Sequence, residues 1–111
     1  MSKQLITLQV AGKSVTCNFG INYFYKFVYD ITGRDMLSGN IDGLGSALGF
    51  ELLADLVYAG YKAHSTVSGI KEDVTHEEIT RHFLSMSPAE FTAALTDAIK
   101  AMNPEAATGE A

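Results

Sequence analysis

LGSALGFELLADLVYAGYK, residues 44–62, is the most apolar stretch of this chain, and its reading decides the fold. Leu48, Leu52, Leu56 and Ala59 recur at helical spacing, and so do Gly49, Leu53, Val57 and Gly60. Two adjacent apolar rows cover most of a helix surface, so other elements must pack around it. Only Glu51, Asp55, Tyr58 and Lys62 make a narrow polar stripe. The spacing predicts a central helix over 44–63. A membrane span is rejected: the run is barely long enough, and Glu51 and Asp55 sit near its middle.

On either side the periodicity changes. Before Gly20 it is two. Ile6, Leu8 and Val10 alternate with Thr7 and Gln9, and Val15, Cys17 and Phe19 alternate with Ser14, Thr16 and Asn18. With Ala11-Gly12-Lys13 as the turn, residues 4–19 read as a hairpin with one apolar face. A lone hairpin is marginal in water, so it must pack on helices or on another chain. After Gly20 the period becomes 3.6. Asn22 is the expected N-cap of a helix over 23–32, with Phe24, Phe27, Val28 and Ile31 as core stripe and Gly33 as left-handed C-cap. Residues 34–43 read as a loop whose glycines match neither phosphate-binding spacing.

Beyond the central helix, 63–74 is polar and reads as a surface loop. Thr75-His76-Glu77-Glu78 is a capping box that opens a helix over 76–86, with Ile79, Phe83 and Met86 inward. Ser87-Pro88-Ala89-Glu90 is a second capping box, with Pro88 at the first helical position. Phe91, Ala94, Leu95, Ala98, Ile99 and Met102 then stripe a helix over 88–102, which Asn103-Pro104 ends. The expected fold is α+β and mostly helical: an N-terminal two-stranded hairpin packed on a bundle of about four helices. It forms one domain, 1–104, with a disordered tail over 105–111.

The 111 residues carry a formal charge of −5, unevenly placed. Residues 1–70 hold five acids and five bases, whereas 71–111 hold eight acids and three bases. With no basic stripe, direct nucleic-acid binding is not expected. The single cysteine, Cys17, excludes an internal disulfide and fits a reducing compartment. No signal-peptide pattern opens the chain. Cys17 alternates inward and reads as a small buried hydrophobe. His76 and His82 are six apart, whereas a helical zinc motif needs four, so no metal site is expected. His64 suits the negative end of the central helix. Nothing assembles an acid, a base and a nucleophile, so neither enzyme activity nor a cofactor is expected.

The order of segments carries a resemblance. A hairpin closes on Phe19-Gly20, and an aromatic-rich helix ends in Thr32-Gly33. Leu56-Val57-Tyr58-Ala59-Gly60-Tyr61 sits in the central helix, and Thr75-His76-Glu77-Glu78 caps the next. Over residues 4–102 this resembles the small tail assembly chaperones of long-tailed bacteriophages and related prophages. It departs from them in Tyr61, where leucine is commoner, and in its unusually aromatic first helix.

The resemblance implies a non-enzymatic protein that binds the tape-measure protein during tail morphogenesis. It would act in the bacterial host cytoplasm and be absent from the mature virion. A longer frameshifted form is common in that family. A small structural head–tail component retained in the particle is the competing expectation. Tyr25, Tyr29, Tyr58 and Tyr61 are the candidate partner-contact residues. Tyr23, Tyr25 and Tyr29 are the candidates for self-association into dimers or larger assemblies. The neutral residues 1–70 would carry the contacts, and the acidic remainder would face water.

Overall fold

Ala11 and Gly12 both adopt positive φ, 54° and 78°. That is the primed two-residue turn whose twist matches two right-twisted strands. It joins β1 (Leu5–Val10) to β2 (Lys13–Asn18), antiparallel, with Ile6 opposite Cys17, Leu8 opposite Val15 and Val10 opposite Lys13. Lys13, expected in the turn, is therefore the first residue of β2. The inner face carries Ile6, Leu8, Val10, Val15 and Cys17. On the outer face Thr7 Oγ1 lies 3.0 Å from Thr16 Oγ1, and Gln9 Nε2 donates to Ser14 Oγ at 3.0 Å.

A computed structural model describes residues 4–33 and 50–102 of the chain. Four helices follow the hairpin among these residues: α1 (Asn22–Thr32), α2 (Phe50–Ser68), α3 (His76–Leu84) and α4 (Pro88–Met102). The fold is α+β and mostly helical, as the change of period predicts. No helix among the described residues is long and apolar enough to cross a membrane.

The chain enters α1 differently from expectation. Asn18 Oδ1 accepts from the Gly20 N–H at 2.9 Å and closes a side-chain turn there. Ile21 is then the extended flanking residue, packed against the core, and Asn22 is already helical rather than capping. The C-terminal expectation holds: Gly33 is left-handed, φ 77°, and its N–H donates to Tyr29 O at 2.8 Å.

Helix α2 is the centre of the molecule and packs against α1, β2 and α3. Leu53, Ala54, Leu56, Val57, Ala59 and Ala63 are buried along it. The expected start over 44–49 and the Glu51 side chain lie outside the described residues. At its other end α2 runs to Ser68, five residues past the predicted boundary. Ala63 and Ser65 continue the buried row with side chains too small or too polar to register as a hydrophobic stripe. Gly69, φ 69°, stops the helix, and the Ile70 N–H donates to Ser65 O at 3.0 Å in the double-turn closure such an end requires. The loop is therefore shorter than 63–74. His64, expected at the helix end, sits a turn inside it.

Both capping boxes form. The Glu78 N–H donates to Thr75 Oγ1 at 3.1 Å and the Thr75 N–H to Glu78 Oε1 at 2.9 Å. The Glu90 N–H donates to Ser87 Oγ at 3.2 Å and the Ser87 N–H to Glu90 Oε1 at 3.0 Å. Helix α3 ends at Leu84, two residues early, and Met86 is only half-buried. Helix α4 matches its predicted bounds. It buries Ala98, Ala101 and Met102, while Phe91, Ala94 and Leu95 are half-buried. Gln4 Nε2 donates to Met102 O at 3.3 Å and ties the end of α4 to the start of the hairpin.

The Thr75 N–H holds the Glu78 carboxyl below the ordinary glutamate range. A depressed folded value means that this cap stabilises fully above the unfolded pKa and is lost as pH falls through the folded one. The protection factors of the Thr75 and Glu78 amides, taken relative to the intrinsic exchange rate at each pH, are therefore expected to fall as pH drops below the ordinary glutamate range. Glu78→Gln should remove most of that pH dependence while keeping the bond from Thr75.

Candidate contact surface

Positions four apart on a helix share a face, and two such pairs meet here. On α1, Tyr23 stacks on Phe27 with ring centroids 5.9 Å apart and planes 15° apart. On α2, Lys62 lies one turn after Tyr58. Its ammonium sits 5.5 Å from the Tyr58 centroid and 5.1 Å from that of Phe27, so one cation bridges rings of two helices. Tyr58 in turn stacks on His76, the first residue of α3, at 4.8 Å and 18°. His76 Nε2 lies 2.6 Å from Asp55 Oδ1, back on α2. Lys62 Nζ is also 3.4 Å from Glu72 Oε2. The result is a band, Tyr23–Phe27–Lys62–Tyr58–His76, laid across three helices.

The band is half-wet. Tyr23 is 44% exposed, and the side chains of His76 and Lys62 are 40% and 28% exposed. Cation–π contacts at such exposure contribute about 0.5–1 kcal/mol each. The Lys62–Glu72 pair adds at most about 1 kcal/mol. Phe27 and Tyr58 are half-buried against the core and held further by these neighbours, while Tyr23 is exposed at the end of the band.

The structure separates the tyrosines that the sequence suggested together. Tyr23 and Tyr25 are two positions apart, about 200° around the helix, and fall on opposite flanks. Tyr25 packs edge-on against Phe24 at 5.2 Å and is half-buried. Tyr29 is 58% exposed. Tyr58 belongs to the band with Tyr23. Tyr61 is 4% exposed, in the core, and has no outward face to offer. Its hydroxyl accepts from the Asp73 N–H at 2.8 Å and the Val74 N–H at 3.2 Å, and reaches Asp73 Oδ1 at 3.2 Å. Burial pushes its pKa upward.

Phe27, Lys62 and His76 were not among the candidates. Phe27 reads as core because it falls on the α1 stripe, and His76 reads only as part of a capping box. The i,i+4 pairs 23/27 and 58/62 are in the sequence, but nothing there places them side by side.

The Asp55–His76 pair has the form of an orienter and a base. Among the described residues no hydroxyl or thiol hydrogen-bonds to the His76 ring, and no group of three metal-ligating side chains converges. Cys17 is buried against α2, its Sγ 3.3 Å from Val57 O, and burial raises its pKa far from the reactive range. Ser65 Oγ is sealed in the core without a hydrogen-bond partner among the described residues. Ser65→Ala is therefore expected to leave stability unchanged or raise it by up to about 1 kcal/mol in urea unfolding.

Comparison with protein-family models, with curated proteins and with solved structures gives no match to this chain.

Proposed function

We propose that this chain is a non-enzymatic tail assembly chaperone of a long-tailed phage or prophage. It holds the tape-measure protein in the host cytoplasm while the tail is built, and it leaves before the virion matures. The order of hairpin, aromatic helix, central helix and capped helix supports that reading. The observation that carries it is the band Tyr23–Phe27–Lys62–Tyr58–His76. Rings held on three helices suit an amphipathic helical client, because they contact apolar side chains without demanding sequence-specific hydrogen bonds. A long client with an apolar stripe aggregates when uncovered, and many copies of a small domain of net charge −5 would keep the complex soluble. Self-association along the client fits the exposure of Tyr29 and Leu5.

Co-expression with a phage tape-measure protein tests the reading, using the one encoded beside this chain where there is one. Soluble tape measure and a complex that survives purification are expected. The double variant Phe27→Ala, Tyr58→Ala should lose the complex, while Tyr29→Ala keeps it. An intact complex with the double variant would move the contact elsewhere. Mass spectrometry of finished particles should find none of this protein. A fixed copy number there would reject the chaperone and favour a structural head–tail component.

A further inference from the structure

The two-residue turn sets which residues of the hairpin face each other through hydrogen bonds. Val10 and Lys13 flank the turn and exchange main-chain bonds, and the same phase recurs at Leu8 with Val15 and Ile6 with Cys17. The Phe19 N–H, which donates to Gln4 O at 2.9 Å, continues it. The intervening Ser14 and Thr16 therefore turn their own N–H and C=O away from β1. Among the described residues the sheet has two strands and these outward groups meet no partner.

A cavity of about 400 Å³ adjoins that edge, with Ser14 and Thr16 on one side and Tyr61, His64 and Ile70 on the other. Lys13 and Lys71 both border it. Lys26, Lys62 and Arg81 each face a carboxylate elsewhere, whereas Lys13 donates to the Asp73 main-chain oxygen at 2.8 Å, and Lys71 makes no ion pair among the described residues. The cavity's own acid, Asp73, is engaged by the Tyr61 hydroxyl. Lys13, whose charge also acts on the Glu78 carboxylate, and Lys71 thus stand beside an unpaired strand edge, in a chain whose net charge is −5.

We propose that this edge and cavity together receive an extended acidic peptide segment of a partner protein by strand addition. An added strand lies about 4.8 Å from β2 and bonds to the outward groups of Ser14 and Thr16. Alternate side chains of the segment point to one face, so one acidic side chain enters between Lys13 and Lys71. Ile70, 54% exposed and bordering the cavity, offers apolar cover to a neighbouring side chain. A free anion would use the lysines but leave the strand edge unpaired, which is why a peptide fits better. The site shares no residue with the aromatic band, so the two assignments fail separately.

The test is a titration of the full-length, 15N-labelled protein with a capped heptapeptide alternating valine and glutamate. Shifts centred on the Ser14 and Thr16 amides are expected. They should vanish for the same peptide with alternate amides N-methylated. Lys71→Glu, at an exposed position, should weaken binding about three- to fivefold and favour the lysine counterpart of the peptide. Equal binding of the glutamate and lysine peptides, shifts confined to other residues, or no binding at millimolar peptide would overturn the proposal. So would Ser14 and Thr16 shifts that follow protein concentration without peptide, which would assign the edge to a second copy of the chain.

Discussion

Gly60→Ala is expected to destabilise the fold by about 2 kcal/mol, although alanine is the better helix former by about 1 kcal/mol. Helix α2 crosses the hairpin at this residue. A Cβ there would lie 2.6 Å from Phe19 Cε1 and 2.9 Å from Cys17 Cβ. Neither neighbour can give way easily. The Phe19 ring is wholly buried and packs edge-on against Phe24 at 5.0 Å, while Cys17 Cβ is fixed to the strand backbone. The helix must therefore lift off the sheet, opening contacts along Val15, Cys17 and Val57. Urea unfolding of the two proteins measures the difference. A variant as stable as the parent would mean that the helix and hairpin can separate at no cost, which close packing does not permit. The neighbours explain the whole Tyr58-Ala59-Gly60-Tyr61 run. Tyr58 faces His76, Ala59 is buried, Gly60 admits the hairpin, and Tyr61 anchors the following loop.

Tyr61→Phe is expected to cost about 2 kcal/mol while removing a single oxygen. That oxygen accepts two consecutive main-chain N–H groups, of Asp73 and Val74, and Val74 is buried. Without it the loop before α3 has either two unsatisfied donors or a new path, and an unmade buried hydrogen bond costs about 1–3 kcal/mol. The variant should also differ in alkali. Burial raises the folded pKa of Tyr61 above its unfolded value near 10. Its stabilising effect is therefore complete below the unfolded value and lost as pH rises through the folded one. As pH rises above about 10 the parent should lose stability faster than the phenylalanine variant. Denaturant midpoints across that range give the comparison. Parallel curves would show that the hydroxyl is not buried in the folded protein.

Much of this architecture follows from sequence pattern because the physics involved is local. Alternation at Ile6, Leu8 and Val10, a turn around Gly12, and the reciprocal caps of Thr75 with Glu78 and Ser87 with Glu90 involve residues a few positions apart. Their free energies are won within one turn of chain, so residue type and spacing suffice to read them. The dominance of the central helix is equally legible, since a surface apolar on two rows must be covered.

What only the tertiary structure decided is every matter that depends on who the neighbour is. Helix α2 continues to Ser68 because Ala63 and Ser65 meet a packed surface, which small side chains do not advertise. Tyr61, one of four tyrosines with similar sequence claims to a partner, lies in the core with its hydroxyl accepting from two N–H groups of the loop that follows its helix. Tyr23 and Tyr58 come together across two helices through Phe27 and Lys62, while Tyr25 turns to the other flank. A helical period states which residues share a face. It does not state what that face meets, and burial, pairing and ring stacking are properties of the meeting.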